Sequence, residues 1–289
     1  MKKFINNTEY FKSLTREELI KAIELDPFNI KYADKELQLQ FLKKDGNSIN
    51  FIDNPDKELQ LAAVKQNGFS ISYIKNPDKD VQLEAVKQNG YAIDFIINPD
   101  KEVQLEAVKQ NGMFLNNFSN PDEEIQIAAV TQNPDAIEFI NNPSENIQLI
   151  AVKLDGYSIR YINNRTDRVR LAAVKQNGLA IDYIVCPSEE IQIAAVNQNC
   201  KAIKYIENPC KELIDKIDIC KTDHRTIYSI RLDDGSYRFS IGCQSNITKE
   251  EFFKRIYEAD GGLDKNPYRQ DYLKILEIYE RKELKNKRQ

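Results

Sequence analysis

The chain has 289 residues, of which 41 are lysine or arginine and 45 are aspartate or glutamate, and its formal net charge is −4. This acidic balance argues against a large phosphate-binding surface, because such surfaces are normally basic. No apolar run reaches about 18 residues, which argues against a transmembrane helix. The segment after Met1, Lys2 and Lys3 lacks the apolar core of a secretory signal.

Five cysteines occur in the C-terminal part of the chain: Cys186, Cys200, Cys210, Cys220 and Cys243. An odd number without paired motif spacing is typical of reduced thiols, so we expect a cytoplasmic protein. Two of them lie near His224, the only histidine, but the spacing matches no common zinc motif. We therefore expect no metal and no other cofactor.

Residues 1–32 are predicted to form a polar tail and a divergent capping repeat. An amphipathic pattern starts at Thr15 and reaches Asp26-Pro27, which stands where later units have Asn-Gly. An atypical terminal unit with a polar outer side is typical of the cap of a repeat array.

Residues 33–208 are predicted to hold eight units of 22 residues, because prolines recur at intervals of 22 residues with one interval of 44. Arg165 takes the place of the one missing proline; the others are Pro55, Pro77, Pro99, Pro121, Pro143, Pro187 and Pro209. We number the positions of each unit from 0 at this residue. Self-similarity at a fixed period of this length indicates a stacked-repeat architecture.

Each unit is predicted to form a longer helix followed by a short helical stub. Apolar residues at positions 4, 6, 8 and 9 cover roughly 200° of one helix, which suits a helix wedged between neighbouring repeats. In the unit of Pro99, Asn98 is the expected N-cap, Pro99 the first helical residue and Gly112 the left-handed stop. Apolar positions 16, 18 and 19 predict a stub of one or two 3₁₀ turns.

Position 5 places a glutamine inside the apolar arc in seven units: Gln38, Gln60, Gln82, Gln104, Gln126, Gln148 and Gln192. A buried amide without hydrogen bonds costs about 1–3 kcal/mol, so these residues are predicted to form a ladder that satisfies loop backbone of the next repeat. The alternative is readout of nucleic-acid bases, one per repeat. We favour the ladder, because a reader of varied sequence would vary its reading residues.

The exposed face of the long helix is predicted to carry rows of opposite charge. An acidic row at position 3 accompanies a lysine row at position 10, which consists of Lys43, Lys65, Lys87, Lys109, Lys153 and Lys175. Glu84 and Lys87, like Glu106 and Lys109, are spaced for i,i+3 ion pairs. Such mixed rows usually form a solvated face.

Position 14 opens the loop after the glycine with mostly apolar residues: Phe69, Tyr91, Met113, Tyr157 and Leu179. If these side chains are exposed, they form an apolar stripe of the kind that binds a partner. If they pack between repeats, they belong to the core, and the periodicity does not decide between these alternatives. Phe69, Tyr91 and Tyr157 are candidate partner-binding residues.

Four arginines depart from the repeat pattern within eleven residues: Arg160, Arg165, Arg168 and Arg170. One interpretation is an internal cluster of ion pairs with Asp155 and Asp167; the other is recognition of an anion or an acidic partner. Arg170 replaces the position-5 glutamine in the apolar arc, so it is expected to reach an internal carboxylate. Arg160, Arg165 and Arg168 remain candidate partner-binding residues.

Residues 209–289 are predicted to form a small α+β appendage, since the repeat decays after Pro209. Alternating residues on both sides of Asp233-Asp234-Gly235-Ser236 predict a β-hairpin. A capping box at Thr248-Lys249-Glu250-Glu251 predicts a helix, and a second helix is expected after Asn266-Pro267, followed by a basic tail.

The repeated core Leu-x-Ala-Val-Lys-Gln-Asn-Gly, present at 105–112, resembles an uncharacterised family of bacterial and phage helical repeats. That family is similar to the leucine-rich-repeat variant and HEAT-like α-solenoids, and the resemblance covers about residues 33–208. It implies a right-handed α-solenoid and carries over no catalytic residues.

The expected fold is therefore mostly α: a right-handed α-solenoid of 22-residue repeats with a small C-terminal appendage. The sequence shows no nucleophile–base pair, metal-ligand spacing or glycine-rich phosphate loop, so we expect neither an enzyme nor a small-molecule substrate. Solenoids offer long binding surfaces, which favours a non-enzymatic protein-binding scaffold. The narrow periodic composition further suggests a bacterial or phage effector or inhibitor that grips a partner protein. The alternative is a nucleic-acid-binding solenoid that uses the lysine row and the arginines at 160–170; no membrane association is expected.

Overall fold

The structure is a computed structural model that describes residues 7–221, 226–231, 236–241 and 244–258. The chain divides into two compact units, Met1–Ile140 and Asn141–Gln289. Each contains helix-plus-stub repeats of about 22 residues, so the predicted helical-repeat fold is confirmed. The predicted domain boundaries after residues 32 and 208 stay predictions. His224, the helix after Asn266-Pro267 and the basic tail lie outside the described residues.

In the first unit, long helices alternate with 3₁₀ helices. The α-helices are α1 (Asn7–Ser13), α2 (Arg16–Leu25), α3 (Lys35–Leu42), α4 (Lys57–Gln66), α5 (Lys79–Gln88), α6 (Lys101–Gln110) and α7 (Glu123–Gln132). The 3₁₀ helices are Pro27–Tyr32, Gly46–Phe51, Gly68–Tyr73, Gly90–Phe95, Gly112–Asn117 and Pro134–Phe139. The predicted capping repeat is thus a shortened version of the same helix-plus-stub pair. Part of the expected polar tail forms helix α1. This helix packs on the capping repeat, where the ring of Phe11 stacks on that of Tyr32 with centroids 4.3 Å apart.

The long helices start two residues later than the proline pattern predicts. Asp78 is the N-cap of α5, and its carboxylate accepts a hydrogen bond from the backbone N–H of Val81 at 3.1 Å. Asn98 is not the N-cap of α6, because the cap is Asp100 and Pro99 precedes it. Asn98 instead has a left-handed φ of 52°, a conformation that asparagine tolerates better than most residues. It turns the chain into the next helix.

The glycine that follows most of the long helices has a steric role and not the predicted left-handed one. None of these glycines, Gly112 included, has a φ in the left-handed region. A Cβ on Gly68 would lie 2.5 Å from the carbonyl oxygen of Ala85 in the next long helix. Glycine is required there because the neighbouring repeat approaches the backbone closely.

The core consists mainly of positions 4, 8, 9, 16 and 19. In the unit of Pro77 the buried members are Val81, Ala85, Val86, Ile93 and Ile96. Leu83 at position 6 is partly buried, and Phe95 at position 18 is 49% exposed. The predicted apolar pattern therefore contains one position that is only partly buried and one that faces solvent.

The position-5 glutamines bind backbone, but mainly that of their own repeat. The Nε2 groups of Gln60, Gln82 and Gln104 each donate to the carbonyl oxygen of the proline five residues earlier, at 2.8 Å. The predicted ladder to the next repeat is wrong for these residues. In the second unit the next repeat is reached as well, because Gln192 Oε1 accepts from the backbone N–H of Cys210 at 2.8 Å.

A different glutamine, at position 11, joins neighbouring repeats. Gln66 Oε1 accepts from the backbone N–H of Gly46 at 2.8 Å, and its Nε2 donates to the carbonyl oxygen of Lys44 at 3.2 Å. Gln176 makes the equivalent contacts with Gly156 and Leu154 in the second unit. The glycine and the glutamine therefore form one inter-repeat contact that was not predicted.

A salt-bridge ladder runs along the first turns of the helices in the first unit. The position-2 lysine of one helix pairs with acids at positions 1 and 3 of the next: Lys35 with Asp56 and Glu58, Lys57 with Asp78 and Asp80, Lys79 with Glu102, and Lys101 with Asp122 and Glu124. The predicted i,i+3 pairs of Glu84 with Lys87 and of Glu106 with Lys109 do not form. The position-3 acids are engaged between helices and not by the position-10 lysines.

In the second unit, three repeats lead into a sheet. Its α-helices are α8 (Glu145–Leu154), α9 (Asp167–Gln176), α10 (Glu189–Gln198), α11 (Lys211–Lys216) and α12 (Lys249–Glu258), and its 3₁₀ helices are Gly156–Tyr161, Gly178–Tyr183 and Cys200–Tyr205. The strands β1 (Ile217–Lys221), β2 (Thr226–Arg231), β3 (Tyr237–Ile241) and β4 (Gln244–Thr248) form an antiparallel sheet in that order.

The sheet confirms the predicted hairpin and adds two strands that were not predicted. β2 and β3 pair with Ser229 opposite Phe239. The capping box before α12 forms, because Thr248 Oγ1 accepts from the Glu251 N–H at 3.1 Å and Glu251 accepts from the Thr248 N–H at 2.8 Å. The helix packs on the sheet through Phe252, whose ring stacks on Phe239.

Candidate functional site

Some of the position-14 side chains are exposed to solvent, and others are partly buried between repeats. Phe69 and Tyr91 in the first unit are 39% and 55% exposed. Met113 is partly buried, as are Tyr157 and Leu179 in the second unit. The stripe is therefore most open in the first unit.

The position-18 aromatic residues, which the sequence pattern assigned to the core, extend this surface. Tyr73 and Phe95 are 46% and 49% exposed. Phe95 packs edge-to-face against Phe69 of the preceding repeat with ring centroids 6.0 Å apart. We call Phe69, Tyr73, Tyr91 and Phe95 the aromatic surface.

Exposed rings and buried side chains occur within the same 3₁₀ helix. In Gly68–Tyr73 the buried side chains are Ser70 and Ile71, whereas Phe69 and Tyr73 are exposed. In this helix, positions 14 and 18 therefore face solvent, whereas positions 15 and 16 face the core.

In the second unit, the equivalent rings carry cations. Tyr157 and Tyr183 pack edge-to-face with centroids 6.1 Å apart. The guanidinium of Arg160 lies over the ring of Tyr161 at 4.6 Å, and Lys204 Nζ lies over the ring of Tyr205 at 4.3 Å. Arg160 is exposed and lies among these rings. Its position in the sequence, close to the other three arginines, does not indicate this contact.

The side chain of Arg165 bridges two 3₁₀ helices through their backbone carbonyls. Its Nη1 donates to the carbonyl oxygen of Ile159 at 2.8 Å, and its Nη2 donates to that of Tyr183 at 2.5 Å. Burial and, next, the positive charge of Arg170 lower the pKa of Arg165. Much of the donor capacity of Arg165 is thus used inside the repeat.

Arg168 and Arg170 each reach one carboxylate. Arg170 Nη1 pairs with Asp167 at 3.2 Å, but this carboxylate is 71% exposed and is not the internal partner that was expected. Arg168, which is largely exposed, lies 3.5 Å from Glu145 of the preceding helix. This pair occupies the same positions as the salt-bridge ladder of the first unit but with opposite charges, because the acid is at position 2 and the cation at position 3 of the next helix. The four arginines therefore make different contacts: Arg160 lies over Tyr161, Arg165 bridges two backbone carbonyls, and Arg168 and Arg170 each pair with one carboxylate.

Nothing in the described residues assembles a metal site or a bilayer-spanning helix. No group of three histidine, cysteine, aspartate or glutamate side chains among them is placed to hold a metal ion. Within the same residues, no helix combines sufficient length with sufficient apolar character to cross a membrane. The Cys200 thiol is buried against the sheet, and burial raises its pKa, which makes a reactive thiolate less accessible there.

Comparison with known proteins supports the repeat family at a general level. The family model described as a domain of unknown function (DUF4116) matches residues 34–77, 56–98 and 100–143. Each match spans about two of the 22-residue units, and the tandem matches indicate an uncharacterised repeat family. No curated protein and no solved structure matches the chain.

Proposed function

We propose that this chain is a non-enzymatic scaffold that binds a protein partner through the aromatic surface of the first unit. The observation that carries the proposal is the exposure of Phe69, Tyr73, Tyr91 and Phe95 on successive 3₁₀ helices. Aromatic side chains bring a large contact area with few rotatable bonds, and they are enriched at binding interfaces.

The charges beside the aromatic surface favour protein over nucleic acid. Proteins that bind single-stranded nucleic acid combine stacking rings with a positively charged groove. The charged side chains described on the 3₁₀ helices of the first unit, their caps and the loops after them are mostly acidic, and they include Asp26, Lys31, Asp45, Asp53, Lys75, Asp94, Asp135 and Glu138. A polyanion would be repelled from this layer.

We also propose a cellular compartment, a biological role and secondary contact residues. The free thiols of Cys186, Cys200 and Cys210 support a reducing compartment such as the cytoplasm. The narrow repeat composition supports a HEAT-like bacterial or phage effector or inhibitor that grips its partner. Arg160, Arg168 and Tyr157 in the second unit are proposed as secondary contacts, whereas Arg165 is proposed to act through the local structure.

The experiment is capture of partners from bacterial lysate, with and without nuclease, by wild type and by a Tyr73→Ser, Phe95→Ser variant. We expect the wild type to retain a protein after nuclease treatment and the variant to lose it while keeping its circular dichroism spectrum. Leu25→Ser is the matched control, because Leu25 is 87% exposed in the same unit but lies outside the aromatic surface.

Two results would contradict the proposal. Loss of all captured material on nuclease treatment would favour the nucleic-acid alternative. Equal capture by wild type and by the aromatic variant would exclude the aromatic surface as the binding site.

A further inference from the structure

A groove lies between α3 and α4, on a face of the long helices. Its volume is about 420 Å³, its floor is formed by Leu39, Leu61 and Ala62, and its rim includes Lys43, Lys65 and Glu58. Leu39 and Leu61 occupy position 6 and pack on the core with one side only, since both are partly buried. The floor therefore offers apolar contact area to a ligand.

The two rim lysines differ from the ladder lysines of the same unit in having no acidic partner. Lys35 holds Glu58 at 2.6 Å and Asp56 at 2.8 Å. Among the described residues, no carboxylate lies within ion-pair distance of Lys43 or Lys65, and both side chains are exposed. The acid on the rim is thus already neutralised, and the two cations remain available.

The excess of positive charge is specific to this pair of helices within the first unit. In α5 and α6 a glutamate at position 7 precedes the position-10 lysine by three residues, as in Glu84 before Lys87 and Glu106 before Lys109. In α3 and α4 the same position holds Gln40 and Ala62. The local charge is more positive, and the small Ala62 side chain leaves the floor open.

We propose that the groove between α3 and α4 binds a protein segment that combines apolar side chains with aspartate or glutamate. The apolar side chains contact Leu39, Leu61 and Ala62, and the carboxylates pair with Lys43 and Lys65. Charge complementarity of this kind selects partners and speeds their encounter. The inference deepens the proposed function, on which it rests for the partner being a protein, and it adds a second surface to the aromatic one.

The second unit contains a groove of similar shape with a different rim. Between α9 and α10 the floor is Leu171, Ile193 and Ala194, the volume is about 570 Å³, and the rim includes Lys175, Glu189 and Glu190. Asn197 stands at the position equivalent to Lys65. This groove has the same apolar floor but a negative rim, so it should reject an acidic segment.

The test is selection of binders from a random peptide library displayed on phage, with the full chain immobilised. We expect the selected peptides to carry Asp or Glu beside Leu, Ile or Phe. The affinity of a synthetic copy should fall about tenfold or more for a Lys43→Glu, Lys65→Glu variant. It should fall less for Lys43→Gln, Lys65→Gln, and it should weaken as salt is raised.

The matched control is Lys75→Glu, Lys175→Glu, which makes the same change of net charge away from the groove and should bind like wild type. Thermal melts of all variants show whether each is folded. Replacing Asp and Glu of the peptide by Asn and Gln should reproduce the loss seen with the groove variant.

The outcomes separate this inference from the proposed function. Peptides lost in the Tyr73→Ser, Phe95→Ser variant but not in the groove variant would overturn the groove and keep the aromatic surface. Selected peptides without acidic residues, or no enrichment above background, would overturn the inference while the lysate experiment still decides the proposed function. Binding of an oligothymidine by wild type but not by the groove variant would overturn it in favour of nucleic acid.

Discussion

At the scale of single residues, the contact between the position-11 glutamine and the glycine of the preceding repeat explains two sequence positions at once. A Cβ on Gly46 would lie 2.3 Å from the carbonyl oxygen of Ala63 in the next helix and 3.0 Å from Gln66 Oε1, so the helix and the glutamine together leave no room for it. The same side chain satisfies the backbone N–H of Gly46, which is buried. The glycine therefore serves close packing and hydrogen bonding between repeats.

We predict that Gln66→Ala destabilises the protein by about 1–3 kcal/mol, because it leaves the buried Gly46 N–H and the Lys44 carbonyl without this partner. Lys109→Ala should change the free energy of unfolding by less than about 0.5 kcal/mol, since Lys109 is exposed. Urea denaturation of both variants measures the difference. Equal effects would mean that the glutamine bridge does not contribute to stability.

At the scale of the elements, the salt-bridge ladder connects the first turns of successive helices. Each pair is largely exposed, so its individual contribution is small. The arrangement nevertheless places carboxylates at helix N-termini, where the helix dipole favours them. It also gives the N-cap aspartates a second partner, as for Asp56 with Lys35 and Asp78 with Lys57.

The ladder predicts a stability change in acid. The hydrogen bond from Lys35 is the largest cause that lowers the pKa of Asp56, and the backbone N–H of Leu59 is the next. For Asp78 the largest cause is the backbone N–H of Val81, followed by Lys57. A folded-state pKa below the ordinary 3.8 stabilises the fold above pH 3.8, and this stabilisation is lost as the pH falls through the folded-state pKa.

We therefore expect the Tm of wild type to fall more steeply below pH 3.8 than that of an Asp56→Asn, Asp78→Asn variant. Asparagine keeps a capping oxygen but has no titratable charge, so the comparison isolates ionisation. Thermal melts over a pH series on both sides of this value are the measurement. Parallel curves would show that the two carboxylates titrate alike in the folded and unfolded chain.

At the scale of the whole molecule, the repeats of each unit contact mainly their neighbours, and the sheet covers the last 3₁₀ helix. The Cys200 Sγ–H lies 3.0 Å from Ser240 Oγ and 3.5 Å from the carbonyl oxygen of Tyr228. Cys200 and Ile203, both in the last 3₁₀ helix, are buried. The sheet thus closes the end of the repeats in the second unit.

We predict that a chain ending at Asn208 keeps most of its helical circular dichroism but exposes the apolar side of Cys200–Tyr205. Stacked repeats are stabilised chiefly by their neighbours, and a terminal repeat needs a polar cover for solubility. Increased binding of a hydrophobic dye and aggregation on gel filtration are the expected signs. Complete loss of helicity would show that the sheet is required for the repeats to fold.

The sequence by itself determined the period, the order of helix and stub, the hairpin around Asp233-Asp234-Gly235-Ser236 and the capping box at Thr248. These features are local or repeated, so chemical pattern alone specifies them. The inter-repeat contact also left a signal: Gly46, Gly68, Gly90, Gly112, Gly156 and Gly178 are each followed twenty residues later by glutamine. Pro134, which has no N–H to donate, is followed at that distance by Leu154.

Only the tertiary structure decided which of the repeated side chains contact the adjacent repeat. Asn98 and Gly112 were assigned roles that fit an isolated helix, whereas stacking gives the cap to Asp100 and gives the glycine a steric role. The same limit applies to the candidate site: exposure of Phe95, bridging by Arg165 and the availability of Lys43 depend on the adjacent repeat. A period of 22 residues specifies that every unit is alike, but burial and pairing arise only when the units are stacked against one another.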